Sequence, residues 1–113
     1  MIEKYSFGTI HILGQVYKDD VKICQGRVVS PWWRKSGHDV RIEDVRDMLD
    51  TNPEVIIFGQ GQPGLMSCSQ DLKELLRQKG IELIELPTAD AIKKFNDSYS
   101  LGRAVCGGFH LTC

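Results

Sequence analysis

The sequence has 113 residues, of which 42% are hydrophobic and 26% charged, and its formal net charge is −1. This length and balance predict one globular domain spanning residues 1–113, and the near-neutral charge argues against a nucleic-acid-binding or anionic-membrane-binding protein. No segment approaches the roughly 20 apolar residues of a membrane-spanning helix, so we expect no membrane association.

The amino terminus indicates the cellular compartment. An acidic residue, Glu3, comes early and no apolar signal-peptide core follows, so the sequence predicts a cytoplasmic protein. Cysteines in that compartment are normally reduced. We therefore expect all four cysteines to be free thiols, with no disulfides, and their spacing relative to the histidines indicates no zinc site.

The first thirty residues have the pattern of a β-meander. Glycine-containing pairs at Gly14-Gln15 and Gln25-Gly26, and the acidic pair Asp19-Asp20, predict the turns between its short strands. Pro31 ends this region, and an irregular basic and aromatic segment follows it.

The second half predicts a β-α-β-α-β order. After a short helix over 42–49, apolar runs predict strands at 55–58, 81–86 and 104–111. Helices separate these strands, one from Ser67 or Ser69 to Lys79 and one with Thr88 as its N-cap residue. A helical crossover between the first two strands predicts that they are parallel.

A glycine loop follows the first of these strands. Gly59-Gln60-Gly61-Gln62-Pro63-Gly64 matches the G-x-G-x-x-G spacing of dinucleotide-binding loops. Residues intervene between its last glycine and the helix, and Pro63 removes a backbone donor, so we predict no nucleotide cofactor. A smaller ligand at Gly59, Gln60, Gly61 and Gly64, with His110 nearby on the last strand, remains an alternative.

Two other patterns bear on function. Pro31-Trp32-Trp33-Arg34 places two tryptophans and an arginine in a predicted loop, and these residue types are enriched at binding hot spots. Cys106 and His110 lie four residues apart on one strand face, roughly 13 Å, which is too far for a Cys–His nucleophile pair. The sequence offers no complete catalytic constellation, and we assign no catalytic residue and no metal site.

Several motifs together resemble one family, the Mth938-like domain family (domain of unknown function 498), which includes adipogenesis-associated Mth-domain proteins and a mitochondrial complex I assembly factor. The motifs are Gly8, Gly14, Tyr17, Asp20-Val21, Pro31-Trp32, Gly59-x-Gly61, Gly64-Leu-Met66, Gly80-Ile81-Glu-Leu, Leu86-Pro-Thr88-x-x-Ala91, Asn96 and Phe109-His-Leu-Thr-Cys113.

The resemblance implies a three-layer α/β fold, with a mixed central sheet, helices and an N-terminal β-hairpin layer. It implies neither a catalytic activity nor a cofactor. We therefore expect a non-catalytic protein-interaction or assembly module that contacts another protein, or itself, through Trp32, Trp33 and Arg34. The alternative is a small-molecule or anion binder, or an enzyme, that uses the glycine loop.

Overall fold

The computed structural model describes all 113 residues. Its strands, in chain order, are β1 (Ile2–Ser6), β2 (Thr9–Ile12), β3 (Gln15–Tyr17), β4 (Val21–Cys24), β5 (Arg27–Val29), β6 (Asp39–Val40), β7 (Val55–Gly59), β8 (Ser67–Cys68), β9 (Glu82–Leu86) and β10 (Val105–Phe109). The helices are a 3₁₀ turn at Ile42–Asp44, α1 (Arg46–Asp50), α2 (Gln70–Lys79) and α3 (Thr88–Ser100).

A mixed five-stranded sheet lies at the centre, in the order β5-β4-β10-β7-β9. β10 pairs antiparallel with β4 and parallel with β7, and β7 pairs parallel with β9. The last strand of the sequence is therefore the middle strand of the sheet. A separate antiparallel sheet, β1-β2-β3, forms the N-terminal layer, and β6 pairs with β8. This arrangement confirms the predicted α/β fold and the predicted parallel pair β7–β9.

Successive side chains of the central strands point to opposite faces of the sheet, so the core is divided into two clusters, one on each face. On one face, Val55, Ile57, Val105 and Phe109 pack with α3 and with the β1-β2-β3 layer. On the other face, a second cluster surrounds Ile56, Phe58 and Cys106, and includes side chains from α1, α2 and the segment after β5. Because every residue of β7 and β10 is buried, these two strands read as continuous apolar runs.

The helix ends agree only in part with the sequence. Ser69 caps α2 by accepting a hydrogen bond from the Leu72 amide, and Gly80 ends it with a φ of 69°. Pro87, and not Thr88, is the N-cap residue of α3. The buried Thr88 hydroxyl instead accepts from the Gly61 amide and donates to the His110 carbonyl, so it joins the glycine loop to the C-terminal segment.

The prediction that the chain has no disulfides is wrong. Cys24 on β4 and Cys106 on β10 are directly opposite in the sheet register, and their sulfurs are joined in a disulfide. Their Cα atoms are 4.4 Å apart, a distance typical of non-hydrogen-bonded antiparallel pairs. Spacing along the chain gives no sign of this pair, because the sheet register brings together two cysteines that are 82 positions apart. Cys68 and Cys113 are free.

No helix in the structure has both the length and the apolar composition needed to cross a bilayer.

Candidate functional site

A cavity of about 310 Å³ opens where the carboxyl end of β10 meets the start of β4. Its walls come from the turn before β4, the segment after β5 and the C-terminal residues. The polar and aromatic residues that line it are Lys18, Asp19, Asp20, Trp32, Trp33, Arg34, His110 and Thr112. The carboxyl ends of parallel strands are the usual place for ligands in α/β sheets. The structure therefore places His110 and the Trp32–Arg34 segment, predicted separately from sequence, in one site.

The Asp20 carboxylate is the hub of this site. It accepts hydrogen bonds from His110 Nδ1 at 2.7 Å, Arg34 Nη2 at 2.6 Å and the Leu111 amide at 2.9 Å. Burial by itself raises the pKa of Asp20, but the hydrogen bonds from His110, Arg34 and Leu111 outweigh it, so the net pKa lies below the ordinary value. Asp20 is thus a carboxylate that holds three segments of the chain together.

The orientation of the His110 ring follows from that bond. An ionised carboxylate only accepts, so the proton between Asp20 and His110 belongs to Nδ1. Arg34 Nη2, 3.4 Å from the same nitrogen, carries only donors and makes no hydrogen bond with it. His110 Nε2 is buried and has no partner, and Arg34 Nη1 is in the same condition. His38 lies edge-on to the His110 ring, with centroids 5.3 Å apart.

Trp32 belongs to the core. Its ring is 4% exposed, stacks on Phe58 at a centroid distance of 6.0 Å, and donates from Nε1 to the Asp44 carbonyl at 3.0 Å. A Cβ on Gly108 would lie 2.5 Å from this ring, so β10 needs a glycine there. The Arg34 guanidinium covers the ring at 4.5 Å, within the range of a cation–π contact.

Trp33 has the opposite environment. Its side chain is 81% exposed, although the side chains of both its neighbours in sequence are buried. The predicted surface segment therefore consists of two anchors, Trp32 and Arg34, and one displayed ring.

The glycine loop lies beside the cavity, and internal contacts occupy it. The amides of Gln60, Gly61 and Gln62 donate to Leu86, Thr88 and Thr112. Gly61 has a φ of +94°, and a Cβ there would lie 2.8 Å from His110 Cδ2. Gly59 is also a packing position, since a Cβ would meet Phe109 and Thr88 at 2.9 Å. The loop thus supports the C-terminal segment, and its three central amides are not free for a ligand.

Sequence reasoning missed the central residue of the site. Asp20 stands in an acidic pair, which is an ordinary turn signal, and nothing local distinguishes it from Asp19. The presence of Asp20-Val21 among the family motifs was the only signal. His38 carried none.

The cluster provides hydrogen-bond donors, a carboxylate and a positive charge. The Asp20–His110 pair orients an imidazole as a general base requires. Nε2 has no contact with solvent, and Thr112 is the residue with a hydroxyl side chain that lines the cavity. No group of three or more histidine, cysteine or acidic side chains is placed to bind a metal ion.

Comparison with known proteins identifies the family. The model of the family described as "protein of unknown function (DUF498/DUF598)" matches residues 2–110, and the chain belongs to this family. MT938 is 30% identical with a TM-score of 0.83, over 100% of this chain and 98% of MT938. The conserved hypothetical protein PH1505 from Pyrococcus horikoshii is 25% identical with a TM-score of 0.84, over 100% and 99%.

A more distant match is a Mth938-like domain from Bordetella pertussis, whose structure was solved in solution. It is 17% identical and has a TM-score of 0.72, over 97% of this chain and 84% of that protein. The predicted membership of the Mth938-like family is confirmed. These similarities establish the family and the fold; they assign no function.

Proposed function

We propose that this member of the DUF498 family is a non-catalytic recognition module that binds a protein partner through Trp33 at the rim of the 310 Å³ cavity. The observation that carries the proposal is an 81% exposed tryptophan held between two buried and hydrogen-bonded neighbours. The other apolar surfaces of the chain lack this combination.

Preorganisation is the physical argument for Trp33. Trp32 is fixed by Phe58 and by the Asp44 carbonyl, and Arg34 is fixed by Asp20 and by the Gly37 carbonyl, to which its Nε donates at 2.9 Å. The backbone between them is therefore held in place, and this segment loses little backbone conformational entropy when a partner covers Trp33. Exposure of a large ring on an ordered segment costs solvation free energy in the free protein, which binding recovers.

The chemistry around Trp33 describes the partner. Lys18, Asp19 and Arg34 line the cavity with both signs of charge, and Pro31 adds an apolar wall. A partner that inserts an apolar or aromatic side chain and places polar groups at this rim would fit. Such an assembly or regulatory role is compatible with a second copy of the chain as well as with a different protein.

The test compares two exposed apolar residues. Leu101 is 79% exposed and lies at the end of α3, beyond the opposite end of β10 from Trp33, so Leu101→Ala is the matched control for Trp33→Ala. Immobilised wild type and both variants would be used in quantitative pulldowns, and sedimentation velocity would measure self-association.

We expect both variants to melt within a few degrees of wild type, because neither side chain is buried. Trp33→Ala should weaken partner binding or self-association by at least ~2 kcal/mol, roughly 30-fold, and Leu101→Ala should not. If Trp33→Ala binds and sediments as wild type does, the recognition surface lies elsewhere.

Two buried nitrogen atoms without hydrogen-bond partners favour a second candidate function, that of a small-molecule or anion-binding protein. Buried polar atoms are nearly always paired, and Arg34 Nη1 and His110 Nε2, which belong to two residues that line one cavity, are exceptions. A ligand here would shift the His110 ring resonances, and the shift would be lost in Arg34→Met. This candidate shares the site of the first, but it needs no exposed Trp33.

A further inference from the structure

The disulfide lies at the other end of β10 from the cavity. Cys106 is near the start of that strand, and His110 follows its end. The pair is asymmetric: the Cys106 side chain is 1% exposed, whereas Cys24 is only partly buried. Each cysteine lines a cavity, of about 180 Å³ at Cys24 and about 310 Å³ at Cys106. Because Cys106 is almost completely buried and Cys24 is not, an external thiol can approach Cys24 Sγ more readily than Cys106 Sγ.

One hydroxyl touches both sulfurs. Thr51 Oγ1 lies 3.2 Å from Cys24 Sγ and 3.5 Å from Cys106 Sγ, and it donates to the Met48 carbonyl at 2.7 Å. Rotation of this hydroxyl away from the Met48 carbonyl would direct its single hydrogen to either sulfur. Neutral disulfide sulfurs accept hydrogen bonds only weakly, whereas a thiolate formed by opening the bond would be stabilised by this donor.

The charges around Cys24 also suit a thiolate. Lys22, Arg27 and Asp47 line the same cavity, which gives it a net positive charge. Lys22 is paired with Asp47 at 2.8 Å, whereas Arg27 forms no ion pair. Nearby cations stabilise a thiolate and attract an anionic thiol.

We propose that Cys24 and Cys106 form an exchangeable thiol–disulfide centre whose co-reactant is a low-molecular-weight thiol and its disulfide. An external thiolate attacks Cys24 Sγ, a mixed disulfide forms at Cys24, and Cys106 leaves as a thiolate that receives its hydrogen bond from Thr51. A second external thiolate attacks the sulfur of the mixed disulfide that came from the first thiol. The small-molecule disulfide and the Cys24 thiolate are then released.

Two electrons are thus transferred from two external thiols to the protein disulfide, and protons from water neutralise the thiolates. In the reverse direction, Cys24 is the nucleophile and Cys106 is the resolving thiol. This centre is independent of the proposed function, since none of its residues lines the Trp33 cavity.

The probe is glutathione in its reduced and oxidised forms. The folded full-length chain would be equilibrated at several ratios, quenched with acid, alkylated and mapped by mass spectrometry, with circular dichroism recorded alongside. Three variants separate the roles: Cys106→Ala, Cys24→Ala and Thr51→Val. Cys68 is an internal control, because burial, followed by the Glu85 charge, raises the pKa of its thiol and keeps it protonated.

We expect the Cys24–Cys106 bond to open and close reversibly while the protein stays folded. Cys106→Ala should form a mixed disulfide at Cys24 at least ~10-fold faster than Cys24→Ala forms one at Cys106, following exposure. Thr51→Val, which keeps the shape and removes the hydroxyl, should slow exchange in the otherwise wild-type chain at least ~3-fold.

Three results would overturn the proposal. Opening of the bond only when the protein unfolds would make it a structural crosslink. If Cys24 and Cys106 stay reduced in oxidising glutathione, the proposal is also wrong. The third such result is thiol exchange at Cys24 that is no faster than thiol exchange at Cys106. If an alanine variant fails to fold, the rate of exchange in wild type against Thr51→Val decides, and equal rates would refute the mechanism.

Discussion

Replacing Asp20 with asparagine tests the polar cluster directly. The substitution keeps the shape of the side chain and removes the charge that neutralises Arg34, whose side chain is only 4% exposed. Asparagine also places an NH₂ group where two donors, His110 Nδ1 and Arg34 Nη2, now point. Removing one partner of a buried ion pair costs about 3–5 kcal/mol. Because the remaining amide oxygen can still accept one hydrogen bond, we expect a loss of about 3 kcal/mol.

Such a loss is large against the total of roughly 5–15 kcal/mol that stabilises a domain. At about 4 °C per kcal/mol, Tm should fall by about 12 °C. Thermal and urea unfolding of wild type and Asp20→Asn would measure the effect. Asp19→Asn is the matched control, since Asp19 is exposed and its side chain makes no ion pair. A loss at Asp20 no greater than the loss at Asp19 would refute the view that Asp20 is the hub.

The pH dependence of the same pair of proteins gives a second test. The folded-state pKa of Asp20 lies below its ordinary value of 3.8. The carboxylate therefore contributes stability that is present above the unfolded-state pKa and is lost as pH falls through the lower folded-state pKa. We expect the stability difference between wild type and Asp20→Asn to be constant from neutral pH to about 5, and to shrink in more acidic solution. A difference that grows on acidification would show the opposite sign.

Three further predictions concern the glycine loop and the terminal strand. Gly61→Ala should lower the free energy of unfolding by about 3 kcal/mol, because the left-handed φ and the overlap with His110 both destabilise alanine there. Gly26 also has a left-handed φ but lies in open space, so Gly26→Ala should lower it by about 1 kcal/mol. Urea unfolding of the two variants measures the difference. Equal losses would mean that packing at Gly61 is unimportant. Truncation after Gly102 removes the middle strand of the sheet, so we expect no cooperative melt; a cooperative one would contradict this topology. NAD, FAD and ATP at millimolar concentration should leave Tm unchanged, because the central loop amides are already bonded; a clear rise would show that the loop binds them.

The sequence predicted what depends on local patterns. Apolar runs and turn residues identified the parallel strands and the terminal strand, because strand burial and turn chemistry depend on neighbouring residues. The predicted meander of the first thirty residues is only partly correct, because β1-β2-β3 form one sheet whereas β4 and β5 belong to the central sheet. Ser69 and Gly80 marked the ends of α2 for the same reason. The family motifs added the layer order, which short-range periodicity cannot give.

The candidate site was predicted only in pieces. His110 and the Trp32–Arg34 segment were singled out separately, and the sequence could not say that they share a cavity or that Trp33 is the exposed ring. Two adjacent aromatic residues look alike in a sequence. Only the space above Gly108, where no side chain competes, admits one of them to the core.

Tertiary structure alone decided the remaining contacts. Asp20 meets His110, 90 residues away, and Cys24 meets Cys106, 82 residues away, because β4 pairs with β10 in one particular register. A shift of β4 by one residue along β10 would turn the β4 side chains to the opposite face of the sheet and separate Cys24 from Cys106. The identity of a residue is local, but its partner across a sheet is set by the packing of both faces, and that is a property of the whole chain.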